Sequence, residues 1–135
     1  MNIGIFATDR QLEINGAWHP IGMGARILVA RDNNPKYIQA LRTAMEPYRT
    51  PAQRAELSGE EGDKLLCGIL ARTILLGWEN IQDEDKVDLP YTHENAEMVL
   101  NKYPEFRSLV ISIASNADKF RTAAICEAMD EMEKQ

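Results

Sequence analysis

"RQLEINGAWHPIGMGARILVARDNNPKY" runs from Arg10 to Tyr37 and decides the fold class, because the hydrophobic period changes inside it. Leu12 and Ile14 alternate with polar neighbours, and Ile27, Leu28 and Val29 form a short apolar run, both strand-like patterns. Asn15-Gly16 is the dipeptide that closes two-residue hairpins, since both central positions of a type I′ turn take φ > 0. Gly22-Met23-Gly24 signals a second turn. The reading is three short strands near 10–14, 17–21 and 25–30, an antiparallel meander. Pro35 then opens the first helix at a position where its missing N–H is no loss.

Working outward, everything after Asn34 reads as helical. Tyr37, Ile38, Leu41, Ala44 and Met45 keep the 3.6 period up to Pro47, and Thr50-Pro51 starts another turn or two. Ser58 with Glu61 suggests a capping box ahead of a long helix carrying Leu65, Leu66, Ile69, Leu70, Ile74 and Leu75, with Gly77 as its stop. Thr92 caps a further helix with Glu94 in its first turn. Pro104 opens the last one, in which Phe106, Leu109, Val110, Ile113, Ala117, Phe120, Ala124 and Ala128 stay in phase, with a bend expected at Ser115-Asn116. The expected fold is therefore α+β and mostly α. A small N-terminal antiparallel β-meander or hairpin (1–34) precedes a bundle of four to five helices (35–135) in a single domain.

Composition bounds the function. The chain has 135 residues, enough for one cored domain, with 44% hydrophobic and 27% charged residues. Its net charge of −6 repels phosphate backbones, which argues against nucleic-acid binding. The apolar run from Leu65 to Trp78 is broken by Arg72 and falls short of the roughly 20 residues that span a bilayer, so no membrane partner is expected. The N-terminus lacks the basic-then-apolar pattern of a secretory signal. Cys67 and Cys126 lie in helical patterns and read as buried thiols of a reducing compartment.

No catalytic constellation emerges. His19 and His93 have no ligand-spaced Cys or carboxylate, and there is no HExxH, CxxC or P-loop. Ser58 and Ser108 lack a nucleophile elbow. Gly22-Met23-Gly24 is not followed by the third glycine of a dinucleotide motif. The acidic segment containing Glu79, Asp83, Glu84, Asp85 and Asp88 fails as a Ca²⁺ loop. Counted from Asp83, the sixth place holds Asp88 where glycine is needed, and Val87 replaces a ligand, although Glu94 occupies the twelfth. The segment reads as a solvated connector, and the chain as a non-enzymatic protein without metal or cofactor.

The segments "EINGAWHPIGMGARILVARDNNPKY" (Glu13–Tyr37) and "GWENIQDEDKVDLPYTHENAEMVLNKYPEFRSLVISIASN" (Gly77–Asn116) resemble the small tail assembly chaperones of long-tailed bacteriophages. The matching features are a tryptophan-bearing strand, Gly24-Ala25-Arg26-Ile27-Leu28-Val29-Ala30-Arg31, then Asn34-Pro35-Lys36-Tyr37. A Gly-Trp connector, an acidic loop, Pro90-Tyr91-Thr92, Glu94-Asn95 and the Tyr103-Pro104-Glu105 helix start follow. One departure is Lys86 after Asp85, where the family's loop often has Asp-Gly. The resemblance implies a protein of the host cytoplasm, absent from the finished virion. It would coat and solubilise the helical tape measure protein, help recruit tail tube subunits and form homo-oligomers, and a frameshifted longer form often accompanies such proteins. Candidate contact residues are Trp18, Ile21 and Met23 in the hairpin and Ile125, Met129 and Met132 in the C-terminal stripe, because an edge strand invites augmentation and methionine adapts to varied partners. Either patch would serve equally well as core. The alternative is a small phage adaptor or regulatory protein, or a minor virion tail component.

Overall fold

The computed structural model describes residues 1–121. Asp9 sets the N-terminal third: its carboxylate accepts the Gln11 and Leu12 backbone N–H groups and so starts a short helix, α1 (Arg10–Asn15), where strand alternation was expected. The helical turn reverses the sides. Glu13 is buried, while Ile14 is exposed. Asn15-Gly16 is accordingly a helix end, not a hairpin turn. Gly16 has φ +90, its N–H bonds Leu12 O, and a Cβ there would stand 2.9 Å from Leu28 Cγ.

The second turn stands as read. Strands β1 (Ala17–Gly22) and β2 (Ala25–Val29) pair antiparallel around Gly22-Met23-Gly24, all three at positive φ. The third strand comes from elsewhere in the chain. The long helix, α4 (Glu60–Thr73), stops before Ile74, and Leu75–Glu79 forms β3 beside β2, giving the sheet order β1-β2-β3. Continuous apolar runs do not separate a buried strand from a buried helix, which is why Leu75 reads as helical in the sequence. Here Thr73 Oγ1 bonds back to Ile69 O, and Ala30 N–H takes Ile74 O. Arg26 opposite Glu79 forms a two-pronged ion pair at 2.6 and 2.8 Å that fixes the β2–β3 register.

The remaining helices are α2 (Pro35–Met45), α3 (Pro51–Ala55), α5 (His93–Lys102) and α6 (Pro104–Ala114), followed by a 3₁₀ turn at Ala117–Phe120. Asn34, Thr50 and Thr92 cap α2, α3 and α5 through side-chain bonds to backbone N–H groups. The capping box sits at Thr50 with Gln53, not at Ser58, whose hydroxyl bonds back to Ala55 O while Gly59 begins α4. Helix α6 ends at Ser115 rather than bending through it. The 3₁₀ turn then brings fully buried Phe120 against the edge of His19. Ile69, Leu70, Ile74, Val110 and Ile113 are buried as expected, Leu66 and Phe106 pack at the core's margin, and Leu109 is instead exposed. Ala124 and Ala128 lie outside the described residues. The architecture is α+β: a three-stranded antiparallel sheet and helices sharing one core.

Candidate partner-binding surfaces

The strand period separates two of the expected contact residues. Along β1, Ala17 and His19 face the core, Trp18 and Pro20 face outward, and Ile21 turns back inward. Trp18 is 40% exposed on the outer face of the sheet. Its ring reaches over Gly77, with Cη2 3.6 Å from where a Cβ would stand, and Arg26 lies above the ring at 4.1 Å from its centroid. Leu28 and Leu76, both half-buried, meet near Gly16 on this face. Met23 is fully exposed at the hairpin tip with φ 55. Ile125, Met129 and Met132 lie outside the described residues.

Ile21 belongs to a second surface that the sequence reading missed. It sits on the floor of an open groove of about 720 Å³ between the acidic segment, α5 and the start of α6. Ile81, Leu89, Val99 and Phe106 continue that floor, and Met98 is exposed at its edge. The rim is acidic: Asp83, Glu84, Asp85 and Glu105 line it beside Lys102. Met98 was the available signal, being an apolar residue of α5 outside the buried Ala96, Val99 and Leu100 stripe.

The acidic segment is exposed to solvent from Gln82 to Asp88, as a connector is, and is held in place by hydrogen bonds. Asp83 N–H bonds Val87 O at 2.8 Å, Leu89 N–H bonds Ile81 O at 2.8 Å, and Gln82 pairs with Asp88 across the turn. The Asp83 carboxylate accepts the N–H groups of Asp85 and Val87, and Lys86 takes φ +64 at the tip. Trp78 Nε1–H donates to Leu89 O at 2.8 Å, tying the segment to β3. Glu84 accepts the Tyr103 hydroxyl and lies 3.5 Å from Lys102 Nζ, which joins the segment to α5. These partners hold the Glu84 carboxyl below its usual range, the Tyr103 bond first and the Lys102 charge second. No group of three or more His, Cys, Asp or Glu among the described residues is placed to hold a metal ion.

His19 is buried, and its Nε2 has no hydrogen-bond partner among the described residues. Burial lowers its pKa, and the Lys119 charge adds to the effect. It lines a small recess with Leu109, Ser112 and Lys119. Cys67 is a buried free thiol contacted by Arg107 at 3.4 Å. No helix among the described residues is long and apolar enough to cross a membrane.

Comparison with known proteins gives one family. No curated protein and no solved structure matches the chain. The family model described as "YdaY prophage protein" matches residues 32–131, a span that runs from the end of the hairpin through both edges of the acidic groove. That match covers well over half of the sequence, and the chain accordingly belongs to the family of YdaY prophage proteins and is phage-derived.

Proposed function

We propose that this phage protein is a non-enzymatic assembly chaperone of the tail, which shields the apolar faces of a helical client, the tape measure protein, before tail tube subunits are recruited around it. The observation that carries the reading is the outer face of the sheet. Trp18, Leu28 and Leu76 leave apolar surface open to solvent, with Met23 exposed at the adjoining hairpin tip. Tryptophan and methionine bring large, adaptable apolar area to a client helix whose sequence varies along its length. Phage origin and the hairpin resemblance support the same reading. Self-association and a site of action in the host cytoplasm, outside the finished virion, belong to this proposal.

Client capture tests it. Trp18→Ser with Met23→Ser should fold like the parent by circular dichroism, because both side chains are exposed, and should retain much less tape measure protein in a pull-down. Undiminished retention by that double variant would remove the outer face from the proposal.

A further inference from the structure

The acidic groove has a counterpart on the same chain. Helix α2 buries none of its residues, and Ile38 on it is exposed. Ile38, Arg42 and Met45 follow one another at four- and three-residue steps along one face of α2, and Arg49, just beyond the helix and ion-paired with Glu46 at 3.0 Å, lies beside Arg42 and Met45. From Pro35 to Leu57 the chain carries Lys36, Arg42, Arg49 and Arg54 against Glu46 and Glu56, so this segment is positive within a chain of net charge −6. The groove presents the opposite pattern. Its apolar floor is bounded by Asp83, Glu84, Asp85 and Glu105.

We propose that the groove is a self-docking site, in which the α2 stripe of one copy seats in the groove of the next. The reading rests on the self-associating chaperone proposed above and names the surfaces that associate. Ile38 and Met45 lie toward the floor beside Met98 and Ile81, while Arg42 and Arg49 meet Asp85 and Glu105. Helix-in-groove contacts read apolar anchors spaced along one helical face, here Ile38 and Met45, and opposite charge on the two rims fixes orientation and speeds encounter. The two surfaces are different, so the contact is heterologous: it propagates head to tail and closes into a ring only if the rotation per copy permits. That geometry suits a protein that lines up along a long client.

The experiment is a complementation of interfaces, read by solution mass at two salt concentrations. One variant carries Arg42→Glu and Arg49→Glu, which spoil the stripe and leave the groove intact. The other carries Asp85→Lys and Glu105→Lys, which spoil the groove and leave the stripe intact. Asp83 and Glu84 are left in place because they hold the acidic segment together. The parent should assemble beyond a dimer, more weakly at high salt, and each variant alone should be monomeric. Their mixture should assemble again as an alternating chain, because the parent stripe of one fits the parent groove of the other and the reversed stripe fits the reversed groove, and all four changes in a single chain should likewise restore assembly. A monomeric parent, variants that assemble like the parent, or a mixture that stays monomeric would each overturn the proposal. The chaperone reading is tested separately with the tape measure protein. A monomeric parent that still keeps the client soluble ends the self-docking inference alone, and an assembling parent that does not hold the client ends the chaperone reading alone.

Discussion

Glu13 links the N-terminal helix to the far end of β2. Its carboxylate accepts bonds from Arg31, Asn33 Nδ2 and Thr8 Oγ1, and Arg31 N–H donates to Glu13 O. Burial pushes the carboxyl up, but the three bonds, Arg31 first, outweigh it and hold the pKa below the ordinary 4.5. A carboxyl depressed in the folded state stabilises above its unfolded pKa, and that contribution is lost as pH falls through the folded value. His19 acts at higher pH. Its pKa is lowered from 6.5, so the unfolded chain takes up the proton first and stability declines as pH drops below about 6.5. Urea melts across pH 3 to 7 should therefore show two acid-side losses. His19→Gln should flatten the upper one, and Glu13→Gln the lower one. Glu13→Gln should also cost about 3 kcal/mol near neutrality by leaving Arg31 without its buried partner. Lys86 supports a prediction of opposite sign. It holds φ +64 at the point where the tail chaperone resemblance expects glycine. A non-glycine residue in the left-handed region costs roughly 1–2 kcal/mol, partly offset by glycine's extra unfolded-state freedom. Lys86→Gly should raise stability by up to about 1 kcal/mol, and a loss on thermal melting would contradict this.

At the scale of elements, β2, α2, α5 and α6 were legible because each carried a local stop or start: Gly24, Asn34-Pro35, Thr92 and Tyr103-Pro104. The two misread segments lacked a decisive local signal. Leu12-Glu13-Ile14 alternates like a strand, yet Asp9 supplies a helix cap and Arg31, eighteen residues on, supplies the buried partner for Glu13. Ile74 to Trp78 could be helix or strand by composition, and only the free edge of β2 decides it. The groove was illegible for the same reason, since Ile21, Ile81 and Phe106 converge only through tertiary packing. Of the expected contact residues, Trp18 and Met23 are exposed, but strand alternation sends Ile21 to the other side of the sheet. Leu70 marks the element on which the rest packs: it is 2% exposed on α4, among the buried residues that join helices and sheet. Leu70→Ala should lower unfolding free energy by about 2–5 kcal/mol, and a loss below roughly 0.5 kcal/mol would place it outside the core.

On the scale of the whole molecule, the described residues keep one apolar core and also leave apolar side chains exposed, among them those of the outer sheet around Trp18 and Met98 beside the acidic groove. A net charge of −6 favours solubility of a molecule that exposes such side chains. The described residues bring no carboxylate cluster together for a metal, and added Ca²⁺ should leave the melting temperature unchanged. The proposed function is protection of a helical client. Its most direct test is co-expression with the tape measure protein of the same prophage, followed by size separation of the soluble fraction. The tape measure protein, insoluble alone, should become soluble and co-elute with several copies of this chain. A tape measure protein that stays insoluble, beside a chain that elutes alone, would contradict it.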